Sequence, residues 1–128
     1  YEIEIIGDYA CSGTASSPAM EFFIGGVLMN SSEVNSLSTS TQRKPFFIKA
    51  NFYLTSVGSS ANCNFFTFHA NGNANTSAVQ SRGVQRVMPQ TINTTISNIL
   101  SCKMNWSTAV SPTNIITINS LTYKKTTF

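Results

Sequence analysis

Residues 45–57 read PFFIKANFYLTSV, and the alternation in this stretch decides the fold class. Phe46, Ile48, Ala50, Phe52 and Leu54 share one parity, and Phe47, Lys49, Asn51, Tyr53 and Thr55 share the other. Neighbouring side chains of an extended strand point to opposite faces. The spacing therefore predicts a strand with an apolar face turned to a core and a mixed face turned outward. Gly58–Ser60 supplies a turn. The chain then runs back through Ala61–Ala70, where Phe65, Phe66 and Phe68 predict burial on both faces or an interface on one.

The same period of two extends in both directions. Upstream, Tyr1, Ile3 and Ile5 alternate with Glu2 and Glu4, and a turn-rich stretch follows from Cys11 to Pro18. Met20–Met29 reads as one long apolar strand interrupted by Gly25 and Gly26, which fit a bulge. Ser31–Thr41 is polar apart from Val34 and Leu37 and reads as an edge strand or a loop. Downstream, Asn71–Ser81 is small and polar and reads as an exposed loop. Gly83–Met88 is a short strand ended by Pro89, and Thr91–Ser97 is rich in Thr and Asn. Leu100, Cys102, Met104 and Trp106 then alternate with Ser101, Lys103 and Asn105, which predicts Trp106 on a core face. After the turn at Ser111-Pro112-Thr113, a last strand covers Asn114–Lys125. Simple alternation puts Ile116, Ile118 and Ser120 on one of its faces, and Ile115, Thr117, Asn119, Leu121 and Tyr123 on the other. Seven or eight strands with no three-turn helix predict an all-β, antiparallel β-sandwich or barrel in a single domain, 1–128. No internal repeat points to a propeller or β-helix.

Composition narrows the function classes. Of the 128 residues, 41% are hydrophobic, so the chain has the material for a core. Only 10% are charged, against about 25% in ordinary domains. Ser, Thr and Asn take their place, which suits extracellular or virion surfaces. The net charge of +3 comes from dispersed Lys and Arg rather than a stripe, so the pattern argues against nucleic-acid binding. Cys11, Cys63 and Cys102 are odd in number and lack metal-ligand spacing; they read as buried thiols, or as one disulfide plus a free thiol. No stretch is long and apolar enough for a transmembrane helix. The chain starts at Tyr1 inside a strand-like pattern, which reads as the C-terminal part of a longer polypeptide.

No catalytic constellation forms on paper. General acid–base chemistry needs positioned titratable groups. Here Glu2 and Glu4 sit side by side on one strand face, and His69 is the sole histidine, beside a Gly/Asn loop. The acidic residues are too few and scattered for a calcium site, and Gly25-Gly26 lacks the Lys and helix of a phosphate loop. The expectation is a non-enzyme with no cofactor and no metal. Asn30, Asn75, Asn93 and Asn105 head Asn-x-Ser/Thr sequons, most of them attributable to composition. Recognition then falls to surfaces. Tyr53, Tyr9, Tyr123 and Trp106 are the aromatic candidates for stacking on a sugar, and Trp106 is better explained as core. Loops 13–18, 30–40, 71–81 and 108–113 are the candidate recognition segments. The ligand-contact residues drawn from these sets are Tyr53, Tyr9 and Asn73.

Three stretches carry a family resemblance. They are Tyr1-Glu2-Ile3-Glu4-Ile5-Ile6-Gly7, the strand and Ser-Val-Gly turn within Pro45–Gly58, and the C-terminal series of Asn93-Thr94-Thr95-Ile96, Met104-Asn105-Trp106-Ser107-Thr108-Ala109 and Asn114-Ile115-Ile116-Thr117-Ile118. Together they resemble small jelly-roll domains of viral and phage surface proteins, over nearly the whole chain and by spacing and residue character. The resemblance implies an eight-stranded jelly roll serving as a fibre head, spike or capsid-associated domain. It also implies a homo-oligomer, with a trimer favoured, that attaches particles to a host glycan or protein receptor. It transfers no catalytic residue. Many such heads carry Asp-rich loops, whereas this chain has Asp8 alone, which puts a calcium-assisted glycan site in doubt. A carbohydrate-binding module of a secreted protein is the alternative reading, and a purely structural shell or decoration protein is a third.

Overall fold

The computed structural model describes residues 1–11, 18–33, 40–72, 79–86, 89–106 and 114–125. Among them the chain forms nine strands: β1 (Glu2–Cys11), β2 (Pro18–Ile24), β3 (Val27–Glu33), β4 (Ser40–Leu54), β5 (Ala61–Gly72), β6 (Val79–Arg86), β7 (Gln90–Ile92), β8 (Leu100–Trp106) and β9 (Ile115–Lys124). They build two antiparallel sheets. One has six strands in the order β6-β5-β4-β1-β9, with β7 added beside β5; the other has three, in the order β3-β2-β8.

The sheets share one core, as a sandwich requires. Ile3, Ile5, Tyr9, Phe46, Ile48, Ala50, Phe52, Cys63 and Phe65 of the large sheet bury against Met20, Phe22, Ile24 and Met29 of the small one. The Phe22 and Phe65 rings meet across the interface with centroids 5.2 Å apart. The Phe46/Ile48/Ala50/Phe52 face expected from Pro45–Val57 is the inner face of β4. Phe65 points inward from β5, while Phe66 and Phe68 stand half-buried on the outer face. Trp106 packs half-buried against the core with Leu100, Cys102 and Met104.

One end of the interior is polar. Asn30 donates from Nδ2 to Thr67 Oγ1 at 2.6 Å across the sheets. His69 and Asn71 continue the same inward row of β5, with His69 edge-on to Phe46 at 6.2 Å. Alternation alone carries no sign of these inward polar residues, because hydroxyl and amide groups become compatible with burial only once paired.

Three expectations change. Gly25 and Gly26 do not make a bulge in one long strand. With φ of 57° and 82°, they turn β2 into β3, and Ile24 faces Val27 across the hairpin. The type I′ turn, whose twist suits a two-residue hairpin, needs positive φ at both positions, and Gly-Gly satisfies it. The exposed loop expected over Asn71–Ser81 is shorter, because Asn71 and Gly72 pair with Gln80 and Val79. Backbone pairing here outweighs the weak strand preference of small polar residues. The last strand does not alternate simply. Its register against β1 shifts between Ile6 and Gly7, so Tyr123, Leu121, Ile118 and Ile116 stand opposite Ile3, Ile5, Gly7 and Tyr9. All four therefore share the inward face, and the bulge at Asn119 reverses the parity midway. Of the stretch read as an edge strand or loop, residues 31–33 and 40–41 are strand; Val34 and Leu37 lie outside the described residues.

Gly7 sets how closely β1 meets its neighbours. A Cβ there would collide with the Thr117 carbonyl oxygen, and it would lie 2.5 Å from the Phe46 ring. At Gly26 a Cβ would meet nothing within 4 Å, and only the positive φ resists substitution. Gly7→Ala is therefore expected to cost at least about 1–3 kcal/mol, and Gly26→Ala about 1 kcal/mol. Urea unfolding of the two variants reads the difference, and equal tolerance would contradict this packing.

Candidate functional site

The acidic residues of β1 are held in cross-strand ion pairs on the outer face of the large sheet. Lys49 Nζ lies 2.8 Å from Glu2 Oε2 and 3.5 Å from Glu4 Oε1, and Lys124 Nζ lies 3.6 Å from Glu2 Oε1. Arg43 Nη1 lies 2.6 Å from Asp8 Oδ1 and donates to Thr117 Oγ1 at 2.8 Å, while Asn119 Nδ2 donates to Asp8 Oδ2 at 3.1 Å. The Lys49 hydrogen bond holds the Glu2 carboxyl below its ordinary range. Asn119 and then Arg43 do the same for Asp8. Lys49 is correspondingly raised, chiefly by its bond to Glu2. Such pairing favours permanent ionisation, the opposite of what a proton-transferring acid requires.

Cys63 and His69 are buried and Cys102 is half-buried. Cys63 and Cys102 are free thiols, and burial pushes Cys102 up to about 11. A thiol so raised is a poor nucleophile at neutral pH. His69 is buried among the inward residues of β5. Among the described residues, no group of three His, Cys, Asp or Glu is placed to hold a metal ion.

The aromatic candidates separate. Tyr53 is 47% exposed and stacks on Phe66 with centroids 5.9 Å apart and planes 14° from parallel. Asn64, opposite Tyr53 in register, is buried, and its Oδ1 accepts no hydrogen bond among the described residues. Tyr9 corrects the expectation of a surface ring. It is 1% exposed, stacked on Phe46 at 5.5 Å and edge-on to Trp106 at 6.5 Å. Burial pushes its phenol well above the ordinary range, and the Asn71 side chain faces its hydroxyl. Its odd position in β1 places it with Ile3 and Ile5, a signal already in the sequence. Asn73 lies outside the described residues, as do most of the loop segments named above. Of the sequons, Asn30 is buried and engaged with Thr67, and Asn105 donates to Glu21 Oε2 at 3.2 Å; Asn75 lies outside the described residues.

The two sheets stand open on the side where β8 and β9 run. Each is the end strand of its sheet. Between them opens an apolar groove of about 240 Å³ lined by Ile3, Ile5, Phe22, Leu100, Cys102, Leu121 and Tyr123. Leu121, Tyr123 and Ile118 face inward by register yet remain 59%, 50% and 48% exposed. Among the described residues, nothing in the small sheet extends far enough to cover them. Simple alternation hides this site, because it sets Leu121 and Tyr123 on one face with Asn119. The phase change between Ile116/Ile118 and Leu121/Tyr123 was the available signal.

Because Glu2 and Asp8 are held below their ordinary values of 4.5 and 3.8, they stabilise the fold above those values. That stability is lost as the pH falls through their lowered values. The melting temperature should hold from neutral pH to about 5 and then decline, with a shallower decline in Asp8→Asn. An Asp8→Asn profile parallel to that of the unmodified chain would contradict the role given to Asp8. Comparison with family models, curated proteins and solved structures finds no match, so the functional reading rests on the chain's own geometry.

Proposed function

We propose that this chain is a non-enzymatic domain of a virion surface, a fibre head, spike or capsid-associated part, that works by assembling with copies of itself and contributes to particle structure or host attachment. One observation carries the reading: three inward-facing apolar side chains of β9 lie exposed beside an open groove. Contiguous apolar surface on a soluble domain marks an interaction site, and a second copy is the simplest partner. The resemblance supplies the virion setting and favours three copies. A jelly-roll arrangement belongs to the same proposal. Its support is that β1 lies between β4 and β9 and that β8 pairs with β2, long connections of the kind jelly rolls use. The shell or decoration variant is this reading with assembly as its whole purpose.

A carbohydrate-binding module has its own supporting observation, the half-exposed Tyr53 ring stacked on Phe66 beside Asn64. Light scattering across a concentration series separates the readings. The assembly reading expects a defined oligomer at micromolar chain, and a monomer at every concentration would remove it. Glycan-array binding by that monomer, abolished in Tyr53→Ala, would establish the module instead.

A further inference from the structure

The outer edge of β9 is self-complementary. Against β1, Ile116, Ile118, Leu121 and Tyr123 lie on the inward face, opposite Tyr9, Gly7, Ile5 and Ile3. Thr117, Ser120, Thr122 and Lys124 stand opposite Asp8, Ile6, Glu4 and Glu2 on the outer face. Asn119 joins them there through its bond to Asp8. From Ile115 to Lys124 the order is out, in, out, in, out, out, in, out, in, out, which reads the same from either end. A regular strand of even length cannot do this, since strict alternation puts its two ends on opposite faces. The bulge at Asn119 makes the pattern symmetric.

An isologous contact demands this property: if one residue meets a second, the second must meet the first. Building on the assembly reading above, we propose that a second copy of this chain pairs antiparallel with β9 along its open edge, across a two-fold axis between Asn119 and Ser120. In that register Ile116 faces the partner subunit's Tyr123, and Ile118 faces the partner subunit's Leu121. Thr117 faces the partner subunit's Thr122. The exposed apolar residues of both copies form one continuous inward strip. Lys124, the only charge in β9, falls opposite the partner subunit's Ile115, so no like charges meet. The edges at β8 and β6 lack this complementarity. The same operation on β8 would set Lys103 opposite itself, and β6 carries Arg82 and Arg86, charges of the kind that keep sheet edges apart. The two-fold contact is compatible with a three-fold one elsewhere, giving six chains; alone it gives two.

Cross-linking tests the register. Two variants, I118C and L121C, are mixed and mildly oxidised, with the unmodified chain setting the background from Cys11, Cys63 and Cys102. Directly opposite residues lie about 4.5–5.5 Å apart between Cα atoms, within disulfide reach. Ile118 and its own symmetry mate are three residues out of register, about 10 Å apart, beyond that reach. The expected result is a covalent dimer in the mixture, several-fold above either variant alone, together with two or six chains for the unmodified protein by native mass spectrometry. Equal cross-linking in all samples, none in any, or a trimer alone would overturn the β9 contact while leaving the assembly reading in place. A monomer throughout would remove both. Both substituted positions are about half exposed, and circular dichroism confirms that each variant has folded.

Discussion

A three-stranded sheet cannot cover a six-stranded one. Neighbouring strands lie about 4.8 Å apart, so the path from β6 to β9 is roughly 19 Å wide, while β3-β2-β8 spans roughly 10 Å. The small sheet is centred by the Phe22–Phe65 contact and by β3 lying against β5 and β7. Among the described residues the other flank remains uncovered: Leu121 and Tyr123 point inward yet stay about half exposed, although Tyr123 stacks on Tyr1. The core on the covered flank is closed, with Met29, Ile48, Ala61 and Phe65 sealed from solvent. The open flank keeps the same chemistry without closure.

The outer face of the large sheet serves a different purpose. Its charges are few, and they are organised: Lys49 bridges Glu2 and Glu4, and Arg43, Asn119 and Thr117 gather around Asp8. Exposed pairs of this kind add little to stability one by one. They do link β1 to both of its neighbours, through Lys49 on β4 and through Lys124 and Asn119 on β9. The bulge in β9 thus has two local consequences. It aims Asn119 at Asp8 on the outer face, and it returns Leu121 and Tyr123 to the inner one.

The all-β class and the core face of Pro45–Val57 were legible in sequence, because a strand that buries one face must alternate. So was the half-buried row from Leu100 to Trp106. What alternation could not reveal was any break in phase. The Gly25-Gly26 hairpin was available from turn chemistry, since Gly-Gly supplies positive φ at both positions, yet a continuous apolar run on both sides disguised it as one strand. The β9 bulge was hidden because Asn119 and Ser120 are small polar residues that suit either face. Tyr9 is one of the aromatic residues read as surface candidates, yet its parity in β1 places it in the core. Asn64, Thr67 and Asn71 are buried by neighbours far away in the chain, which no local pattern reports. The open flank is a property of two sheets of unequal width, and it appears only once the strand order is known.

Self-association through β9 requires that its outer edge be open in the single chain. Hydrogen–deuterium exchange measured over a range of chain concentrations addresses this directly. The outward amides of β9 should become protected as concentration rises and exchange quickly on dilution, while those of β4 and β5 remain protected throughout. Fast exchange along β9 at every concentration, with no protection gained on association, would contradict the claim that a second copy pairs along β9.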